Sequence, residues 1–115
     1  MVAGENGKMA HGDFVWCDLS ARTVGRVSEF YTRLFNWCYQ VDQAPDGSDY
    51  HIAQAAGPVG GIFAMPEKFF AMGMSCFWMS CIEVASVTAA VATATAQGGK
   101  VEVGPVAGSG GATIA

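Results

Sequence analysis

Residues 13–19 (DFVWCDL) are aromatic and β-branched and carry Phe14, Trp16 and Asp18 at every second position, which predicts a strand with those three side chains on one face. Val24, Val27, Phe30, Tyr31, Leu34 and Phe35 then recur at spacings of three and four, which predicts a helix with one apolar face. Thr23 stands at the position of an N-cap, and Asn36 is a residue able to end the helix in the left-handed conformation. Three more strands are predicted at 37–41 (WCYQV), 50–54 (YHIAQ) and 59–65 (VGGIFAM). The turns between them are APDGS at 44–48 and Ala56-Gly57, and Pro66 closes the last strand.

The pattern then starts again. Residues 75–84 (SCFWMSCIEV) predict a long strand, and Ser86 caps a helix that runs to Gln97 with Val87, Val91 and Ala94 on one side. Gly98-Gly99 stops it. A short strand at 100–103 (KVEV), a glycine-rich loop at 104–111 and the start of another strand at 112–115 follow. A shift of 63 residues lays Phe14 on Phe77, Trp16 on Met79, Leu19 on Ile82, Thr23 on Ser86 and Val24 on Val87. Strand falls on strand and cap on cap, so an internal repeat organises the chain. The predicted class is α+β. The predicted divisions are a flexible arm at 1–12, a β-α-β-β-β unit at 13–66, a linker at 67–74 and an incomplete second unit at 75–115.

Composition narrows the function classes. The 115 residues allow one domain, and at 51% hydrophobic and 14% charged the chain is not disordered. Its formal charge is −4, and its 6 basic residues are scattered, which argues against nucleic acid as a partner. The uncharged run 69–82 is too short, and too broken by Gly73, Ser75 and Ser80, to span a bilayer. Residues 1–10 hold Glu5, Asn6 and Lys8 and no apolar stretch, so no signal peptide is expected and the cytoplasm is the expected compartment. Cys17, Cys38, Cys76 and Cys81 form no C-x-x-C pair and are expected as buried, reduced thiols in strands. So few charges leave much of the surface apolar or small, and a second subunit would cover it.

Residues 11–41 resemble the opening module of the vicinal oxygen chelate superfamily, the group of glyoxalases, bleomycin-resistance proteins and extradiol dioxygenases. The features that carry the resemblance are W-x-D-L at 16–19, F-Y-x-x-L-F-x-W at 30–37, V-G-G-I-F-A-M-P at 59–66, I-E-V at 82–84 and A-x-G-G-K-V at 96–101. It implies two β-α-β-β-β modules whose sheets curl around a shared cavity, with the helices outside and commonly a dimer. Set against that pattern, the second module here lacks its last strand, an open edge that a partner chain would cover.

Catalytic members of the superfamily hold a divalent metal with His, Gln and Glu side chains, two from the first strand and two from the last strand of the modules. The first-strand ligand lies three residues before the strand's final leucine or isoleucine, which in this sequence gives Trp16 and Met79. An indole has no lone pair to give, and a thioether prefers soft ions. The strand at 59–65 has no His, Glu or Asp. The expectation is therefore a protein without a metal or other cofactor, binding a small aromatic or amphipathic molecule. Its candidate ligand-binding residues are Phe14, Trp16, Asp18, His51, Phe63, Phe77 and Met79. Asp18 and His51 would be the polar anchors, and burial of Asp18 under aromatic cover would raise its pKa. The alternatives are a metal-dependent lyase or dioxygenase of the same superfamily and a dimeric interaction module with no ligand. A homodimer is expected in each case, with an interface that includes residues between Phe69 and Phe77.

Overall fold

Helical spacing and strand alternation are realised where the sequence places them most regularly. A computed structural model describes residues 2–4, 10–108 and 112–115. Among these the chain runs β1 (Val2–Gly4), β2 (Phe14–Ala21), α1 (Val24–Phe35), β3 (Cys38–Gln43), β4 (Asp49–Gln54), β5 (Pro58–Ala64), α2 (Glu67–Ala71), β6 (Phe77–Glu83), α3 (Val87–Ala96), β7 (Val106–Ala107) and β8 (Thr113–Ile114). The class is mixed α/β. The residues divide into two compact units, one of Trp16–Met79 and one of Met1–Val15 with Ser80–Ala115.

In the unit of Trp16–Met79 the strands lie in the order β3-β4-β5-β2-β6. β2 and β5 run parallel, with Asp18 opposite Gly61 and Leu19 opposite Ile62. β4 is antiparallel to both β5 and β3, with Tyr50 opposite Phe63 and His51 opposite Ile62. One face of the sheet packs on α1. Leu19, Ala21 and Ile62 are buried there, with Val24, Val27, Tyr31 and Tyr39 against them. Burying a side chain the size of Ile62 contributes roughly 1.5–3 kcal/mol, and cutting it to Ala would cost about 2–5 kcal/mol. The same face carries an aromatic group in which Tyr31 stacks on Phe35 and on Trp37, rings themselves 5.3 Å apart, and meets Trp78 edge-on at 5.7 Å.

The helix α1 takes only part of its apolar stripe to the sheet. Val24, Val27 and Tyr31 turn inward, while Phe30, Leu34 and Phe35 stay more than half exposed. The stripe is wider than one sheet face can cover. Asn36 ends the helix with φ 60° and ψ 30°, as its residue type predicts. Thr23 is the N-cap by position, but its side chain makes no capping bond. Ser86 does cap α3, accepting from the Ala89 N–H at 3.2 Å.

In the other unit, β1 runs parallel to the end of β6, pairing Val2 with Ile82, and antiparallel to β8; β8 in turn pairs with β7. His11 Nδ1 accepts from the Ala85 N–H at 3.0 Å, and the Gly12 N–H bonds to the Glu83 carbonyl at 2.7 Å.

Several expectations need correction. Residues 2–4, placed in a loose arm, form a strand; the arm's residues 1 and 5–9 lie outside the described residues. The stretch at 67–74, taken as a linker, contains α2, whose first-turn Glu67 follows Pro66. Residues 100–103 form no strand, because no neighbouring strand pairs with them; the strand pairing with β8 is instead β7, within the expected glycine-rich loop. Residues 109–111 of that loop lie outside the described residues. Cys17, Cys38 and Cys76 are exposed and only Cys81 is buried.

Candidate functional site

The face of the sheet turned away from α1 gathers the chemistry of the Trp16–Met79 unit. Strand alternation decides which side chains reach it. Leu19 and Ala21 belong to the helix face of β2, so Trp16, Asp18 and Ser20 belong to the other. The register then adds Gly61 and Phe63 from β5 and Tyr50 and Ile52 from β4. On β6, Trp78 turns to the helix face, where its Nε1 donates to the Tyr31 hydroxyl at 3.0 Å, so Phe77 and Met79 turn to the other.

At the centre of that face three polar groups meet. The Trp16 Nε1–H donates to Asp18 Oδ1 at 3.0 Å and to the Tyr50 hydroxyl oxygen at 2.8 Å. The Tyr50 hydroxyl donates in turn to Asp18 Oδ1. The grouping depends on Gly61, which lies opposite Asp18 on β2 and opposite Ile52, two residues from Tyr50, on β4. A Cβ at Gly61 would strike the Tyr50 ring and hydroxyl and come within 2.5 Å of Asp18 Oδ1. Glycine here makes room for a carboxylate–phenol contact lying across the backbone.

Burial raises the pKa of Asp18 above its ordinary value, and the hydrogen bonds from Tyr50 and Trp16 oppose that rise without cancelling it. The carboxyl is thus a proton acceptor poised above the usual range, beside two aromatic rings. Ser20, on the same strand face, is fully buried, and among the described residues its hydroxyl has no hydrogen-bond partner.

Of the residues singled out from sequence, Trp16, Asp18, Phe63, Phe77 and Met79 share this face. His51 does not join them. It pairs with Ile62 on the helix face, with its ring 6.3 Å from that of Tyr39, because it is one residue out of step with Tyr50 along β4. Phe14 belongs to the other unit and is 72% exposed. Tyr50, the partner of Asp18, was not among the sequence candidates. Its signal was its parity, since Tyr50, Ile52 and Gln54 alternate with His51 and Ala53.

The donor set at the expected ligand positions does not suit a metal ion. The indole N–H of Trp16 is already a donor to two oxygens, and Met79 offers only a thioether. The β5 positions on this face are Gly61 and Phe63. Among the described residues no three His, Cys, Asp or Glu side chains are grouped to hold a metal. Among the same residues no helix is long and apolar enough to cross a membrane. No protein-family model matches the chain, and no curated protein matches it.

Proposed function

We propose that the chain is a small-molecule-binding protein of the kind that bleomycin-resistance proteins exemplify, with a β-α-β-β-β module followed by a second that lacks its last strand, and no metal centre. The observation that carries the reading is the Trp16–Asp18–Tyr50 group: a half-buried carboxyl of raised pKa set among aromatic side chains on the sheet face turned away from α1. Such a face suits a flat or amphipathic molecule, with rings and Met79 giving apolar contact and Asp18 one oriented polar contact. The order strand-helix-strand-strand-strand over Phe14–Ala64 supports the first module. The metal-dependent lyase or dioxygenase reading is disfavoured by the donors at Trp16 and Met79. Exposed Phe30, Leu34 and Met72 favour the interaction module as the second reading.

The ligand is expected to meet Asp18, so the first probe is 2-naphthylmethylammonium, a flat aromatic cation. At a hundred times its dissociation constant a ligand stabilises the folded state by about 2.7 kcal/mol, enough to raise the melting temperature by several degrees. Trp16→Ala and Asp18→Asn should each remove most of that rise. A rise that survives both substitutions places binding elsewhere. No rise with this cation or with neutral 2-naphthylmethanol leaves the interaction module as the better reading. One equivalent of Zn, Ni, Fe or Mn in protein purified without chelator would overturn the metal-free assignment.

A further inference from the structure

On the helix side of the Trp16–Met79 unit, a cleft of about 530 Å³ opens beside the start of α1. That volume suits a small organic ligand. Leu19, Val27, Tyr31 and Trp78 give it apolar and aromatic walls, and Arg22 and Arg26 stand in its lining. Arg22 is held in place: its Nη1 donates to the carbonyls of Met74 at 2.8 Å and Phe70 at 3.3 Å, and its Cζ lies 3.9 Å from the Phe70 ring centroid. Those partners orient the guanidinium but carry no net charge. Arg26 makes no ion pair, since the pairs among the described residues are Arg33–Glu29 and Lys100–Glu102. Two guanidiniums that make no ion pair among the described residues therefore line one aromatic-walled cleft, in a chain whose net charge is −4. The Tyr31 hydroxyl accepts from Trp78 Nε1 and, among the described residues, gives its own proton to no acceptor.

We infer that this cleft is a binding site for an aromatic carboxylate. The planar fork of an arginine matches the two oxygens of a carboxylate, and a second guanidinium adds charge and orientation. The ring of the ligand lies along Tyr31 and Trp78. The apolar walls distinguish this occupant from a bare inorganic anion, which would leave them wet. The site lies on the face of the sheet opposite Asp18, so the two can be occupied independently.

The test uses 2-naphthoate on the full chain. Cys76 lines the cleft and is exposed, while Cys38 is exposed on β3. Naphthoate should protect Cys76, and not Cys38, from alkylation by iodoacetamide in a saturable way, read by peptide mass spectrometry. The Trp78 indole N–H resonance should shift over the same concentration range and reads the titration even if Cys76 alkylates slowly. Arg26→Gln should weaken binding at least tenfold, and 2-naphthylmethanol should bind at least tenfold more weakly than naphthoate. Asp18→Asn should leave naphthoate binding unchanged. Equal binding of the alcohol, equal affinity in Arg26→Gln, or no shift of the Trp78 resonance would each overturn the inference.

Discussion

Replacing Tyr50 by Phe removes one oxygen and keeps the ring. That oxygen donates to Asp18 and accepts from Trp16 Nε1 at 2.8 Å, while the Trp16–Asp18 bond at 3.0 Å remains. A hydrogen bond to an ionised partner contributes about 1.5–3 kcal/mol, and one between neutral groups about 0.5–1.5 kcal/mol. The loss is therefore about 2 kcal/mol with Asp18 ionised and about 1 kcal/mol with it protonated. Burial raises the Asp18 pKa above 3.8 and the Tyr50 bond pulls it down, so the variant's pKa lies higher still. A raised folded-state pKa means that the folded protein holds this proton more tightly than the unfolded chain. The stability it contributes is complete below the unfolded value and is lost as pH rises through the folded value. Tyr50→Phe widens that gap, so its penalty is smaller at pH 3 and larger at pH 7. Urea unfolding at both pH values measures it. With a slope of about 1–3 kcal/mol per molar, 2 kcal/mol moves the midpoint by roughly 1 M. A penalty equal at the two pH values, or one below about 0.5 kcal/mol at pH 7, would refute the reasoning.

Two more substitutions follow from the packing. Gly61→Ala should destabilise by about 1–3 kcal/mol, because its Cβ meets Tyr50 and Asp18, whereas Gly25→Ala, in α1 with open space around it, should stabilise by roughly 0.5–1 kcal/mol. Thermal melts that rank the pair the other way contradict the crowding at Gly61. The chain should scatter light as a homodimer at micromolar concentration, and Met72→Lys should weaken it; a mass near 12.0 kDa in the unsubstituted protein sinks that expectation. Met72, 72% exposed, is a cleaner probe than Phe70, which supports the Arg22 guanidinium.

Local pattern carried the elements with strong periodicity. The spacing of Val24, Val27 and Tyr31 placed α1, and Ser86 and Gly98 bounded α3, because caps and helical repeats act within a few residues. Asp18 and Trp16 could be put on one face, and the direction of the Asp18 shift foreseen, because they sit two apart on one strand. Tyr50 is 32 residues from Asp18, and their meeting needs the registers β2–β5 and β5–β4 together, which no local pattern specifies. The same registers sent His51 to the helix face. Residues 100–103 have strand composition but form no strand pairing, and pairing rather than propensity decides such cases.

The three tryptophans are shared unevenly between the two faces of the sheet. Trp37 and Trp78 lie 6.4 Å apart with their rings at 84°, in contact with the Tyr31 ring of α1, while Trp16 is bonded to a carboxylate on the far side. Crossed indoles at that separation couple their excitations and give circular dichroism a signed couplet, whereas Trp16 emission follows the charge beside it. Each face thereby carries its own optical label. Separation of Trp37 from Trp78 would erase the couplet and leave the Trp16 signal in place, and a change confined to the Asp18 face would do the reverse. The order in which the two faces come apart is visible in the protein's own spectrum, with no dye attached.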